Sequence, residues 1–122
     1  LILADSFYEW GISQGRKQPF RFQLANQRPF TMAGIWEAWT SPDGQVINTC
    51  AIITTGANEL VQVIHHRMPV ILSPENEQRW LKSGDRQLLR PYQASDMTCY
   101  PVSQRVNSPQ NDDPTFILPL DG

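Results

Sequence analysis

Two imidazoles and a guanidinium occupy consecutive positions, His65, His66 and Arg67, and Met68, Pro69 and an apolar run ending at Leu72 come directly after them. They are the chain's only histidines. Imidazole moves protons near neutral pH, and a guanidinium offers a planar fork of donors that matches phosphate or carboxylate. The triplet therefore has the chemistry for proton shuttling beside an anion contact. A plainer role is also open, because cations at a helix C-terminus gain about 0.3–1 kcal/mol from the macrodipole. That accounts for one of the three. Neighbouring side chains on a helix diverge by about 100°, so at most one histidine is expected to share a pocket with a given partner.

Two carboxylates lie among aromatic residues. Glu9 stands between Tyr8 and Trp10 in "FYEWG", where it either faces water or is held partly dry, with a raised pKa suited to acid–base work. Glu37, between Trp36 and Trp39, reads as ordinary period-two strand patterning. The four tryptophans have the π-faces of a single-strand binder but are read as core. Arg16, Lys17, Arg21 and Arg28 cluster around one loop and strand, compatible with phosphate contacts and equally with a solvated face. Cys50 and Cys99 form no CxxC pair and no disulfide framework, so both are expected to be packed thiols in a reduced, cytoplasmic setting. A zinc site would have to gather these cysteines and the histidines from no recognised spacing, and neither metal nor other cofactor is expected.

Composition narrows the classes further. The chain has 122 residues, 40% of them hydrophobic, which suits one globular domain or part of one. Ten basic against twelve acidic side chains leave a formal charge of −2, so no basic footprint marks it as a nucleic-acid binder. No apolar stretch has the length of a membrane span, and no secretory leader opens the chain.

The elements that must position these groups read as strands with short helices. "LILADSFYEW" alternates like a strand, beginning at Leu1 rather than Met, so further sequence before it is expected. "SQGRKQPF" reads as a polar loop, and Phe20, Phe22 and Leu24 share one face of the next strand. Segments 29–39 and 45–55 flank "TSPDG" as a hairpin. Leu60, Val61 and Ile64 form the stripe of a short helix ending near the histidines. Ser73, Pro74 and Gly84 bracket a second helix. "DRQLLRPY" gives a further helical turn, "MTCYPVS" an edge strand, and a proline-punctuated tail completes the chain. Strands succeed strands, so the fold class is α+β, a strand-rich antiparallel sheet or partial barrel with short helices.

Four blocks, "ADSFYEW", "PFTMAGIWEAW", "TCAIITTGANELVQVIHHRMPVIL" and "VNSPQNDDP", resemble in order and spacing the signature blocks of the SOS response-associated peptidase (SRAP) family. The resemblance implies that residues 1–122 are the C-terminal portion of a single SRAP-like domain. It further implies protection of abasic sites in single-stranded DNA, through a thiazolidine crosslink made by an N-terminal cysteine. By the same resemblance Glu9 and His65 are the catalytic acid–base groups, Arg67 grips a flanking phosphate, and Trp10 lines the same DNA-binding pocket.

This chain departs from the family's pattern at three places. His66 stands where the family commonly has Asp, and Ser6 where it usually has Gly, which puts a backbone angle near Glu9 in question. Nothing in Leu1–Gly122 corresponds to the family's Met-Cys-Gly opening, and neither Cys50 nor Cys99 has a free α-amine, so the chain alone is expected not to crosslink DNA. A conventional His/Glu peptidase or hydrolase, and a noncatalytic remnant that binds single strands or a partner, remain the other readings. Self-association is a way for such a chain to complete its sheet.

Overall fold

Leu1–Trp10 does not run as one strand. In the computed structural model, which describes residues 1–120, it divides into β1 (Ile2–Ala4) and β2 (Phe7–Ser13), which belong to different sheets. The break falls at Asp5–Ser6, where Ser6 Oγ donates to Asp5 Oδ1 at 2.7 Å. Ser6 is not among the residues with positive φ, so the backbone here makes no demand for glycine.

The polar segment after β2 is far shorter as a loop than its composition suggests. Only Gln14 and Gly15 turn, at φ 51° and 73°, and β3 (Arg16–Leu24) pairs with β2 from Ser13↔Arg16 onward. Two central residues at positive φ are the signature of a tight hairpin turn whose twist matches its strands. β10 (Met97–Pro101) pairs along the other side of β3, with Pro101 ending an edge strand as expected.

Segments 29–39 and 45–55 do form the expected hairpin, but each breaks once. The first gives β4 (Phe30–Met32) and β5 (Gly34–Thr40), the second β6 (Val46–Ile52) and β7 (Thr54–Gly56). β7 pairs with β8 (Arg67–Pro69), and β4 lies between β1 and β9 (Ile71–Leu72). All three breaks meet at one point. Ala33 N–H donates to Val70 O, Val70 N–H to Ile53 O, and Ile53 N–H to Ala33 O, each at 2.9 Å. The strands change sheets there without leaving a backbone group unpaired. All strand pairs are antiparallel, and among the described residues the sheets do not close into a barrel.

The helices are α1 (Glu59–Gln62) and α2 (Pro74–Ser83). α2 begins after Ser73 and stops at Gly84, whose φ of 57° closes a left-handed cap. Ser73 Oγ accepts from Asn76 Nδ2 at 2.9 Å rather than from the helix backbone. A single 3-10 turn, Arg86–Leu88, comes next as expected, and the last two residues of the tail lie outside the described residues.

Phe22, Leu24, Phe30, Met32, Val61, Met68, Ile71 and Met97 form the core between the sheets and α1. Full burial of a side chain such as Phe22 or Met68 is worth roughly 1.5–3 kcal/mol. Several expectations about burial fail. Trp36 and Trp39 are 75% and 54% exposed, so they are not core. Cys50 is exposed, not packed, because it pairs with Trp36 on the open hairpin of β5 and β6; Cys99 is partly buried. Arg21, grouped above with exposed cations, is buried instead, donating to Tyr100 Oη at 2.6 Å with Asp5 Oδ1 at 3.6 Å.

Candidate functional site

Alternation along β2 sends Glu9 and Phe7 to one face and Tyr8 and Trp10 to the other. Phe7 stacks on Phe22 with ring centroids 5.1 Å apart, so Glu9 lies on the core side of the strand. Its cross-strand partner is Phe20, and Ile64, just past α1, lies over the same surface: a Cβ added at Gly11 would come within 3.4 Å of both Ile64 and Phe20. A carboxylate placed there is set between an apolar ladder and the chain leaving the C-terminus of α1.

That stretch of chain carries His65. α1 starts at Asn58, whose side chain accepts from Leu60 N–H and Val61 N–H at 3.1 and 3.0 Å while its amide donates to Tyr92 O at 2.8 Å. The helix lasts one turn, and His65 N–H returns to Val61 O at 2.9 Å. The histidines therefore sit just past the helix rather than on its last turn. There the rule that neighbouring side chains diverge no longer applies: the His65 and His66 rings stack at 4.6 Å, and both act on Glu9.

Glu9 Oε2 lies 3.8 Å from Nδ1 of His65. The Glu9 side chain is 22% exposed and that of His65 38%, which makes this a cleft wall open to solvent on the imidazole side. Burial raises the Glu9 carboxyl above its ordinary pKa, opposed by the fields of His65 and His66 and by the Trp10 backbone N–H. Nδ1 of His65 also lies 3.1 Å from both N and O of Arg67. An unprotonated Nδ1 accepts from that N–H, and a protonated one donates to that carbonyl, so the ring keeps its orientation through a proton cycle. No hydrogen bond engages Nε2 among the described residues.

Arg67 opens β8, exposed, immediately before the buried Met68 and Pro69. One terminal nitrogen of its guanidinium donates to Thr54 O at 2.7 Å and to Thr54 Oγ1 at 2.9 Å. Its remaining donors have no partner among the described residues and are available to an anion. Sequence reasoning missed both Thr54, which carries no local signal within "ITT", and Asn58, which does: Asn before a short apolar stripe is an N-cap pattern.

Trp10 is not brought into this cleft. It lies on the opposite face of β2, where Nε1 donates to Asn107 Oδ1 at 2.6 Å and its ring tilts against Tyr8. Among the described residues no three His, Cys, Asp or Glu side chains gather into a metal-holding group. Beside Glu9 a recess of about 470 Å³ opens between β2 and α1, lined by Gly11, Phe20, Leu60, Ile64 and Cys99, whose thiol pKa is raised by burial.

A family model described as SOS response associated peptidase (SRAP) matches residues 1–109. The chain belongs to the SRAP family. It is similar to Abasic site processing protein YoqW of Bacillus subtilis (strain 168), 48% identical over 124 residues that take in 96% of this chain and 55% of that protein. It is also similar to Abasic site processing protein HMCES of Gallus gallus, 35% identical over 99% of this chain and 43% of that protein. A crystal structure of a Bacteroides thetaiotaomicron protein matches with a TM-score of 0.87 at 30% identity, over 96% of this chain and 54% of that one. This SRAP chain thus spans about half the length of the relatives it matches. Among the described residues no helix is long and apolar enough to cross a membrane.

Proposed function

We propose that this chain supplies the acid–base and phosphate-contacting part of a cytoplasmic SRAP domain that crosslinks to abasic sites in single-stranded DNA. The observation that carries the reading is the approach of Glu9 to His65, a carboxyl raised by burial facing an imidazole held in orientation for both protonation states. The reacting amine and thiol come from an N-terminal cysteine outside this sequence, as the resemblance to the family implies.

The steps each move protons. Opening the abasic sugar to its aldehyde requires a proton onto the ring oxygen and one off the hydroxyl, and His65 does this through Nε2, giving the one and taking the other. The amine adds to the aldehyde to give a carbinolamine. Glu9, protonated, donates to the departing hydroxyl, which leaves as water and yields an iminium. The thiol loses its proton to the Glu9 carboxylate, and its sulfur closes on the iminium carbon to give the thiazolidine. Glu9 ends protonated, as it began, and the amine and thiol remain bound in the crosslink. A carboxyl with a raised pKa is better suited to this alternation than an ordinary one. Arg67, braced by Thr54, holds a phosphate next to the abasic residue. Trp10, on the other face of β2, is a candidate contact for the strand where it leaves the cleft.

The peptidase reading has less to support it, because the side-chain hydrogen bonds at His65 run to Arg67 and among the described residues no hydroxyl or thiol is a partner. The test joins this chain to an N-terminal segment bearing the cysteine and incubates it with abasic single strands. A covalent adduct lost on Cys→Ser and slowed by Glu9→Gln supports the proposal; peptide turnover indifferent to the cysteine contradicts it.

A further inference from the structure

His66 takes no part in the steps described above, yet the backbone is held at three successive residues around it. His65 N–H donates to Val61 O at 2.9 Å, the His66 carbonyl accepts from Ala57 N–H at 3.1 Å, and Arg67 is already in register with Gly56 on β7. The exposed His66 side chain therefore starts from a fixed point. Its ring lies against that of His65, centroids 4.6 Å apart and planes 28° from parallel, inside the range of about 4.5–7 Å at which aromatic rings pair. A histidine that was only a solvated surface residue would need no such partner.

The His65 ring does need one. It stands past the end of α1 and is 38% exposed, so no adjoining helical turn restricts its torsions. Nδ1 is tied to N and O of Arg67, each at 3.1 Å, which fixes one corner of the ring and not its plane. The stacked ring supplies the plane. Corner and plane together leave Nε2 a single direction, as proton transfer to a bound sugar requires. We infer that His66 is a positioning residue for the acid–base pair, holding the His65 imidazole in plane with the face of its own ring. The inference rests on the reading of Glu9 and His65 given above and assigns His66 no contact with the reacting atoms. Its charge acts separately. Around Glu9, Phe20 of β3 and Ile64 past α1 are apolar, Arg67 turns its guanidinium to Thr54, and the ionisable groups acting on the carboxyl are His65 and His66, whose fields oppose the rise that burial causes. A phenyl ring at position 66 keeps the stack and loses the field.

The test compares His66→Ala with His66→Phe. In the chain by itself, at alkaline pH where Nδ1 accepts, the NMR coupling between the Arg67 amide nitrogen and His65 Nδ1 is expected to persist in the phenylalanine variant and to fall in the alanine variant. In the fusion with the cysteine-bearing segment, His66→Ala is expected to slow capture of an abasic single strand about tenfold at unchanged noncovalent affinity, and His66→Phe to restore it to within about twofold at its own pH optimum. The limb of the His66→Phe pH profile set by Glu9 is expected to lie at higher pH, since a group lowering that carboxyl pKa is gone. Coupling that survives in His66→Ala, or a loss of rate that phenylalanine does not recover, would overturn the inference. A parent fusion that makes no adduct would defeat the crosslinking reading instead, and the coupling would still decide whether His66 positions His65.

Discussion

Glu9 Oε2 and His65 Nδ1 stand 3.8 Å apart although they come from opposite halves of the chain, one on β2 and the other just past α1. Their meeting depends on Ile64 packing over Gly11 and Phe20, and on Asn58 starting the helix at the right residue. Changes at those supports are therefore expected to reach the site.

Burial raises the Glu9 carboxyl pKa, so between its ordinary value and its raised value the folded chain holds a proton that the unfolded chain has released. Stability therefore falls as pH rises through that window. Glu9→Gln removes the titration, and urea unfolding measured at several pH values should show a flatter profile than the parent above the ordinary carboxylate range.

Asn58→Ala removes the acceptor for two helix N–H groups and the donor to Tyr92 O. A loss of about 0.5–2 kcal/mol in unfolding free energy is expected, together with altered His65 ring resonances in an NMR titration. Unchanged His65 signals would separate the cap from the site.

Arg67→Ala is expected to weaken binding to single-stranded DNA evenly across sequences and to lower the slope of log affinity against log salt by about 1. Thr54→Val removes one of the two braces on the guanidinium and is expected to lie between parent and Arg67→Ala in a fluorescence-anisotropy salt series.

A Cβ at Gly34 would come within 2.8 Å of Ile2 Cδ1 and 3.1 Å of the Ala51 carbonyl oxygen. Gly34→Ala is expected to cost about 1–3 kcal/mol by overpacking, read as a lower urea midpoint, because β5 leaves the core here and the backbone of Ala51 cannot swing aside.

The hairpin around "TSPDG", both helices, and the edge strand ending at Pro101 were legible because turn, cap and proline signals are local. The breaks at Ala33, Ile53 and Val70 were not, since each residue is apolar and only their mutual hydrogen bonds distinguish them from strand interior. Burial was misjudged at Trp36, Trp39 and Cys50 for a related reason: their strands alternate normally, but β5 and β6 pair only with each other among the described residues and nothing there packs over either face. At the site, residue chemistry singled out the His65–His66–Arg67 triplet and left Glu9 open between a solvated and a partly dry carboxylate, and the family resemblance chose His65 and Glu9; the helix-based separation of the two imidazoles failed because α1 ends before them. Arg21 looked like surface charge until its partners Asp5 and Tyr100 were placed by tertiary packing.

The most direct measurement is the rate of covalent capture of an abasic single strand by this chain joined to a cysteine-bearing N-terminal segment. Glu9→Gln and His65→Asn are each expected to slow capture by about 10²-fold while noncovalent affinity for the strand stays within error of the parent. Capture at the parental rate in both variants would contradict the assignment of proton transfer to this pair.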